Sequence, residues 1–192
     1  MKKSLLKAGL AALFMAGTMQ AIAGTLDDGA TLSMNGVITP ETAGCSVSLD
    51  KSMVILQESI SRLPQQGDKA LGPAHIMAYI TGKNGQGSVE CSDAVNAGQI
   101  ALKFTGVPDA ADGTVLANSN TDSNAAKGVG IGIFGPGDYS PVAINSDTLN
   151  GLSTLSDLRG AIQFNVEMVK LTDQQVTSGS VSGSLTVQIE RL

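Results

Sequence analysis

The sequence predicts an all-β fold, an antiparallel sandwich, and three observations carry that reading. Short β-branched runs recur along the chain, separated by clusters of Gly, Asn, Asp and Pro. Two runs, one near each end, alternate apolar and polar residues, as a strand with one buried face must. No regular helical period stands between the runs, and many short strands without intervening helices pack as two facing sheets. With 192 residues, the chain has room for one such domain and a tail. A domain of this size buries about 70% of its unfolded surface, enough for a real core.

From the N-terminus, the first segment reads as an address. Lys2, Lys3 and Lys7 open it, the run from Ala8 to Met19 carries no charge, and Ala21-Ile22-Ala23 is the small-x-small pattern that signal peptidase accepts. The apolar run falls short of the roughly 20 residues that a membrane span needs. Residues 1–23 are therefore expected to be a secretory signal peptide, with the mature chain starting at Gly24. Its removal takes three of the 12 Lys and Arg residues and none of the 17 acidic ones, so the mature chain is more acidic than the formal charge of -5 of the whole. That sign excludes nucleic acid as an expected partner, because phosphates need a basic face.

Next comes a loose polar stretch, 24–29, and then a predicted strand over 31–38. Here Leu32, Met34, Gly36 and Ile38 alternate with Thr31, Ser33, Asn35 and Val37. A glycine inside the apolar face marks a close approach by another backbone. Predicted strands follow at 45–49, 53–56, 76–81 and 100–105. Cys45 and Cys91 are the chain's two cysteines, and in an oxidising compartment such a lone pair reads as one disulfide. A redox or metal-binding pair would keep its sulfurs close in sequence, as CxxC sites do. Further strands are predicted at 129–134, 142–144, 161–171 and 181–189. In the last, Val181, Gly183, Leu185, Val187 and Ile189 share one face, and Arg191 follows in the same phase. Only 60–63 and 149–158 suggest a helical turn.

Candidates for chemistry are few. There is one His and no Trp, with 2 Tyr and 4 Phe, which thins the supply of general bases, metal ligands and stacking platforms. His75 reads as a surface or hydrogen-bonded histidine, and no Ser–His–Asp set or carboxylate pair can be assembled around it. Asp109-Ala110-Ala111-Asp112-Gly113 lacks the alternating ligands and distal Glu of a calcium loop, so a solvated turn is expected there. The glycines from Gly128 to Gly132 lack the Lys-Ser/Thr and the helix of a phosphate loop, and strand packing explains them. No catalytic residue, metal or cofactor is assigned, and enzymatic activity is not expected.

The order of these features resembles the pilin subunits of chaperone–usher fimbriae of the type 1-like kind. An N-terminal extension ends in Met34-Asn35-Gly36-Val37-Ile38. The first cysteine follows in Gly44-Cys45-Ser46-Val47, and the second, Cys91, comes after the next long strand. A middle stretch reads Leu116-Ala117-Asn118 … Ala126-Lys127-Gly128-Val129-Gly130-Ile131-Gly132-Ile133. A late strand alternates Phe164, Val166 and Met168, and Gly179 stands before the C-terminal strand. Two features depart from the family pattern: Arg191 takes the penultimate place where an aromatic is usual, and an extra Gly-rich turn precedes Cys91. A longer loop adds little closure entropy.

The resemblance implies an immunoglobulin-like sandwich that lacks its final strand, completed by a donor strand from a neighbouring subunit. It divides the chain into the signal peptide at 1–23, a donor extension at 24–40 and a pilin domain at 41–192. The donor face is Leu32, Met34, Gly36 and Ile38; burying its three side chains would contribute roughly 5–9 kcal/mol at about 1.5–3 kcal/mol each. The acceptor groove and chaperone-binding strand comprise Gly179, Val181, Gly183, Leu185, Val187, Ile189 and Arg191. The implied partners are identical or related pilin subunits, a periplasmic chaperone and an outer-membrane usher. The implied route runs through the periplasm to a fimbria on the cell surface. An alternative remains open: a minor or tip-proximal subunit that binds a host glycan or protein as its receptor.

Overall fold

The computed structural model describes residues 30–34, 44–82, 88–151 and 160–192. In chain order the elements are β1 (Ala30–Met34), β2 (Cys45–Leu49), β3 (Met53–Leu56), a 3-10 turn (Ile60–Arg62), β4 (Ala74–Gly82), α1 (Ser88–Asn96), β5 (Ile100–Gly106) and β6 (Leu116–Ala117). They continue with β7 (Val129–Phe134), β8 (Pro141–Val142), β9 (Thr148–Asn150), β10 (Ala161–Lys170) and β11 (Ser182–Arg191). One sheet runs β3-β1-β11-β5-β9. The other runs β2-β4-β10-β7-β6, with β8 also on β7.

Period-two alternation decides what lies between the sheets. Ile76, Ala78 and Ile80 of β4, and Ile162, Phe164, Val166 and Met168 of β10, point inward from one sheet. Leu102 and Phe104 of β5, with Leu185 and Val187 of β11, meet them from the other. The rings of Phe104 and Phe164 bridge the two layers, 5.0 Å apart and tilted by 54°. β10 is covered on its outer side as well. There Val169 packs with Ala70, Val115, Phe134 and Leu171 in a second, smaller core. Gly130 makes that second core possible. A Cβ at this position would stand 2.7 Å from Val115 Cγ2 and 2.9 Å from the Leu116 carbonyl oxygen. The glycines of β7 are thus packing residues, as expected.

Three expectations are corrected. A helix, α1, does stand between strands. Its fully buried residues are Cys91 and Val95, one turn apart, with Ala94 packed partly against the core beside them. Three apolar positions within five residues are too short a pattern to signal a helix, and tertiary packing rather than propensity holds it. The suggested turn at 149–158 begins instead as β9, which pairs with β5; residues 152–159 lie outside the described residues. The third correction is at Asp109, which is buried rather than solvated. Its carboxylate accepts N–H bonds from Ala111 (2.8 Å), Asp112 (3.1 Å) and Val115 (3.1 Å), and one from Gln66 Nε2 (3.0 Å). Burial raises its pKa, but the backbone donors of Val115, Ala111, Asp112 and Gly113 outweigh that and hold it below the usual carboxylate value. The loop needed for these bonds was legible as a turn; its burial under the second core was not.

His75 is hydrogen-bonded, its Nδ1 lying 2.6 Å from Oδ1 of the buried Asn165. Glu167, also buried, accepts the N–H groups of Leu71 (2.8 Å) and Gly72 (3.1 Å). Desolvation nevertheless raises its pKa above the usual value, and the nearby charge of Glu58 adds to the rise. A group whose folded-state pKa is raised binds its proton more tightly when folded. Stability therefore falls as pH rises from the unfolded-state value of about 4.3 through the folded value. Chemical denaturation measured from about pH 4 to about pH 7 should show this decline, and Glu167→Gln should flatten it. An unchanged slope in the variant would assign the decline to another group.

Candidate functional site

The N-terminal strand closes a gap in its own sheet. β1 lies between β3 and β11. Against β3 it runs antiparallel, pairing Ala30, Thr31, Leu32 and Ser33 with Leu56, Ile55, Val54 and Met53. Against β11 it runs parallel, pairing Thr31, Leu32, Ser33 and Met34 with Ser182, Gly183, Ser184 and Leu185. Parallel neighbours need a long crossover connection; here almost the whole domain separates the two strands. Leu32 thus registers with buried Val54 on one side and buried Gly183 on the other. The strand that occupies the gap in the single chain is the chain's own. Gly36 and Ile38 lie outside the described residues.

On the acceptor side, one face of β11 carries the predicted set. Val181, Leu185 and Val187 are buried along with Gly183, Ile189 is half-buried, and Arg191 is exposed at the end. β5 covers the far edge of β11, from Leu185–Gly106 to Arg191–Ile100. The start of β11 is held by the middle stretch. Asn118 Nδ2 donates to the carbonyls of Ala126 (2.9 Å) and Ser180 (3.1 Å), and its Oδ1 accepts the Ser182 N–H (3.0 Å). Gly179 precedes that clasp with φ +151, and a Cβ there would collide with the Asn124 carbonyl and stand 2.6 Å from the Ala126 nitrogen. Only glycine brings the two loops this close.

The end of β11 reaches the disulfide. Cys45 of β2 and Cys91 of α1 are bonded, with Cα atoms 5.8 Å apart. Arg191 Nη2 stands 3.7 Å from Cys45 Sγ, and the Leu192 N–H donates to Gln99 O at 3.0 Å. Arg191 is thus exposed at the end of the strand, with its guanidinium beside the disulfide. The sequence reading missed the second wall of the gap: β3 was legible as a strand, but nothing in Met53-Val54-Ile55-Leu56 says which strand it pairs with. Among the described residues no group of His, Cys, Asp and Glu could hold a metal ion.

The family model described as "Fimbrial protein" matches residues 33–190. The chain belongs to the fimbrial protein family. Among solved structures, this fimbrial protein is similar to the P pilus rod subunit PapA, with a TM-score of 0.51 and 15% identity over 82% of this chain and 100% of that one. That likeness is one of fold: the pilin sandwich. No curated protein matches the chain. As a fimbrial protein, the chain is a subunit of a fimbria, with a disulfide-bonded all-β fold.

Proposed function

We propose that this fimbrial protein is a structural subunit that polymerises by strand addition. In this reading the extension, residues 24–40, leaves the gap of its own pilin domain, residues 41–192, and fills the gap of the next copy. The observation that carries it is the position of β1. The described sheet is continuous from β3 to β11 only through a segment at the N-terminal end of the chain. A strand so placed is exchangeable between identical chains with its ladder preserved. Its donor face is Leu32, Met34, Gly36 and Ile38, and its acceptor is the inward face of β11 from Gly179 through Val181, Gly183, Leu185, Val187 and Ile189 to Arg191.

The donor surface and the acceptor surface differ, so head-to-tail addition gives an open filament rather than a ring. Before assembly the same gap suits a periplasmic chaperone, and an outer-membrane usher directs the exchange on the way to the cell surface. The test is a substitution at the narrow point of the donor face. With its cognate chaperone and usher present, Gly36→Trp should leave chaperone-bound monomer at parental levels and abolish filaments in electron micrographs. Long filaments built from the variant would place Gly36 outside the subunit contact and refute the donor assignment.

A further inference from the structure

Among the described strands, β3 has β1 as its single ladder partner and stands at the outer edge of its sheet. β11, the other neighbour of β1, keeps β5 on its far side. The chain on either side of β3 is tied to the opposite sheet. Before it, the Asp50 N–H donates to Met77 O (3.0 Å), Asp50 Oδ1 accepts the Met77 N–H (2.9 Å), and Lys51 Nζ donates to His75 O (2.6 Å). After it, the Gln66 N–H donates to Lys170 O (2.8 Å) and the Lys170 N–H to Pro64 O (2.9 Å).

Between these anchors, Val54 and Leu56 of β3 and Leu63 beyond it are buried, whereas Met53, Ile55 and Ile60 are exposed. Three inward side chains do not by themselves offset the entropy of ordering the whole stretch of about a dozen residues. An edge strand without a ladder partner has no other source of order.

We infer that β3 is a conditional strand, ordered only while a strand occupies the place of β1. When that place is empty, β3 unravels between its two anchors. The acceptor is then one-walled, formed by β11 alone, and its second wall assembles on the incoming segment. An arriving strand, the N-terminal segment of a second copy, forms two ladders instead of one. An empty subunit also releases Val54 and Leu56, which a holding protein must cover. This deepens the strand-addition reading and rests on it for its consequence in assembly; filament formation tests that reading, whereas amide exchange in the isolated chain tests this one.

The experiment is hydrogen exchange on the purified mature chain and on Thr31→Pro/Ser33→Pro, which removes two donors from β1. In the variant, amides at 54–56 should exchange at least about 100-fold faster than in the parent, while those at 162–168 stay as slow. A synthetic peptide of residues 29–40, added in trans, should slow 54–56 again. Parental protection at 54–56, with protection lost at 183–185, overturns the inference, because β3 is then held independently. If the variant does not fold, exchange of the parent in rising urea decides. Amides at 31–34 and 54–56 should open together and before 162–168, and opening of 54–56 only together with 162–168 overturns the inference.

Discussion

Phe164→Ala should destabilise the folded subunit by about 3–5 kcal/mol, the range for deleting a large aromatic side chain from a core. Phe164 has no exposed surface, and neither has Phe104, whose ring faces it at 5.0 Å across the two sheets. Neither sheet can collapse into the space left behind, because each is held by ladders on both sides of the site: β10 by β4 and β7, β5 by β11 and β9. The loss is a large part of a total stability of about 5–15 kcal/mol. Urea denaturation of the variant reads it directly. Gln163→Ala, at the neighbouring outward position, should shift the midpoint far less. A loss under about 1 kcal/mol at Phe164 would mean that the sheets do relax around the site.

Removing the disulfide should have an effect of similar size. Cys45 and Cys91 are 46 residues apart, and loop-closure entropy for such a separation corresponds to about 4 kcal/mol in the unfolded state. The native contribution is local. β2 is an edge strand paired with β4 alone, and the disulfide ties it to α1, which closes that end of the core through Val95. Cys45→Ser/Cys91→Ser should therefore lower the denaturation midpoint to the level of the reduced parent. Thiol labelling of the denatured, unreduced parent should find no reactive cysteine. Two labelled thiols per chain would refute the bond in the mature protein. An unchanged midpoint in the double variant would show that native-state packing, rather than the cross-link, holds β2.

β11 links the two regions, β1 and the disulfide, one at each of its ends. β1 borders β11 near its start, and the disulfide and Arg191 lie at the end of β11. The Phe104–Phe164 contact and the ladders of β10 do not involve β1, so the strand addition proposed above does not require them to open.

Much of this protein was legible in the residues alone. Short β-branched runs between turn clusters located β2, β3 and β7 to the residue, and period-two alternation marked the inward faces of β10 and β11, because side chains on a pleat sort between core and solvent by local position. The two cysteines marked their cross-link from the residues alone, whereas Asn118 and Gly179 were singled out only by the resemblance to pilins. Pairing partners were not legible. Nothing in Met53-Val54-Ile55-Leu56 names β1 as its neighbour, and nothing in 31–34 says that it runs parallel to β11 in its own chain. The helix carrying Cys91 and the burial of Asp109 were hidden likewise. Each depends on what packs against it from distant sequence, and long-range packing overrides weak local preference wherever the local pattern spans only two or three side chains.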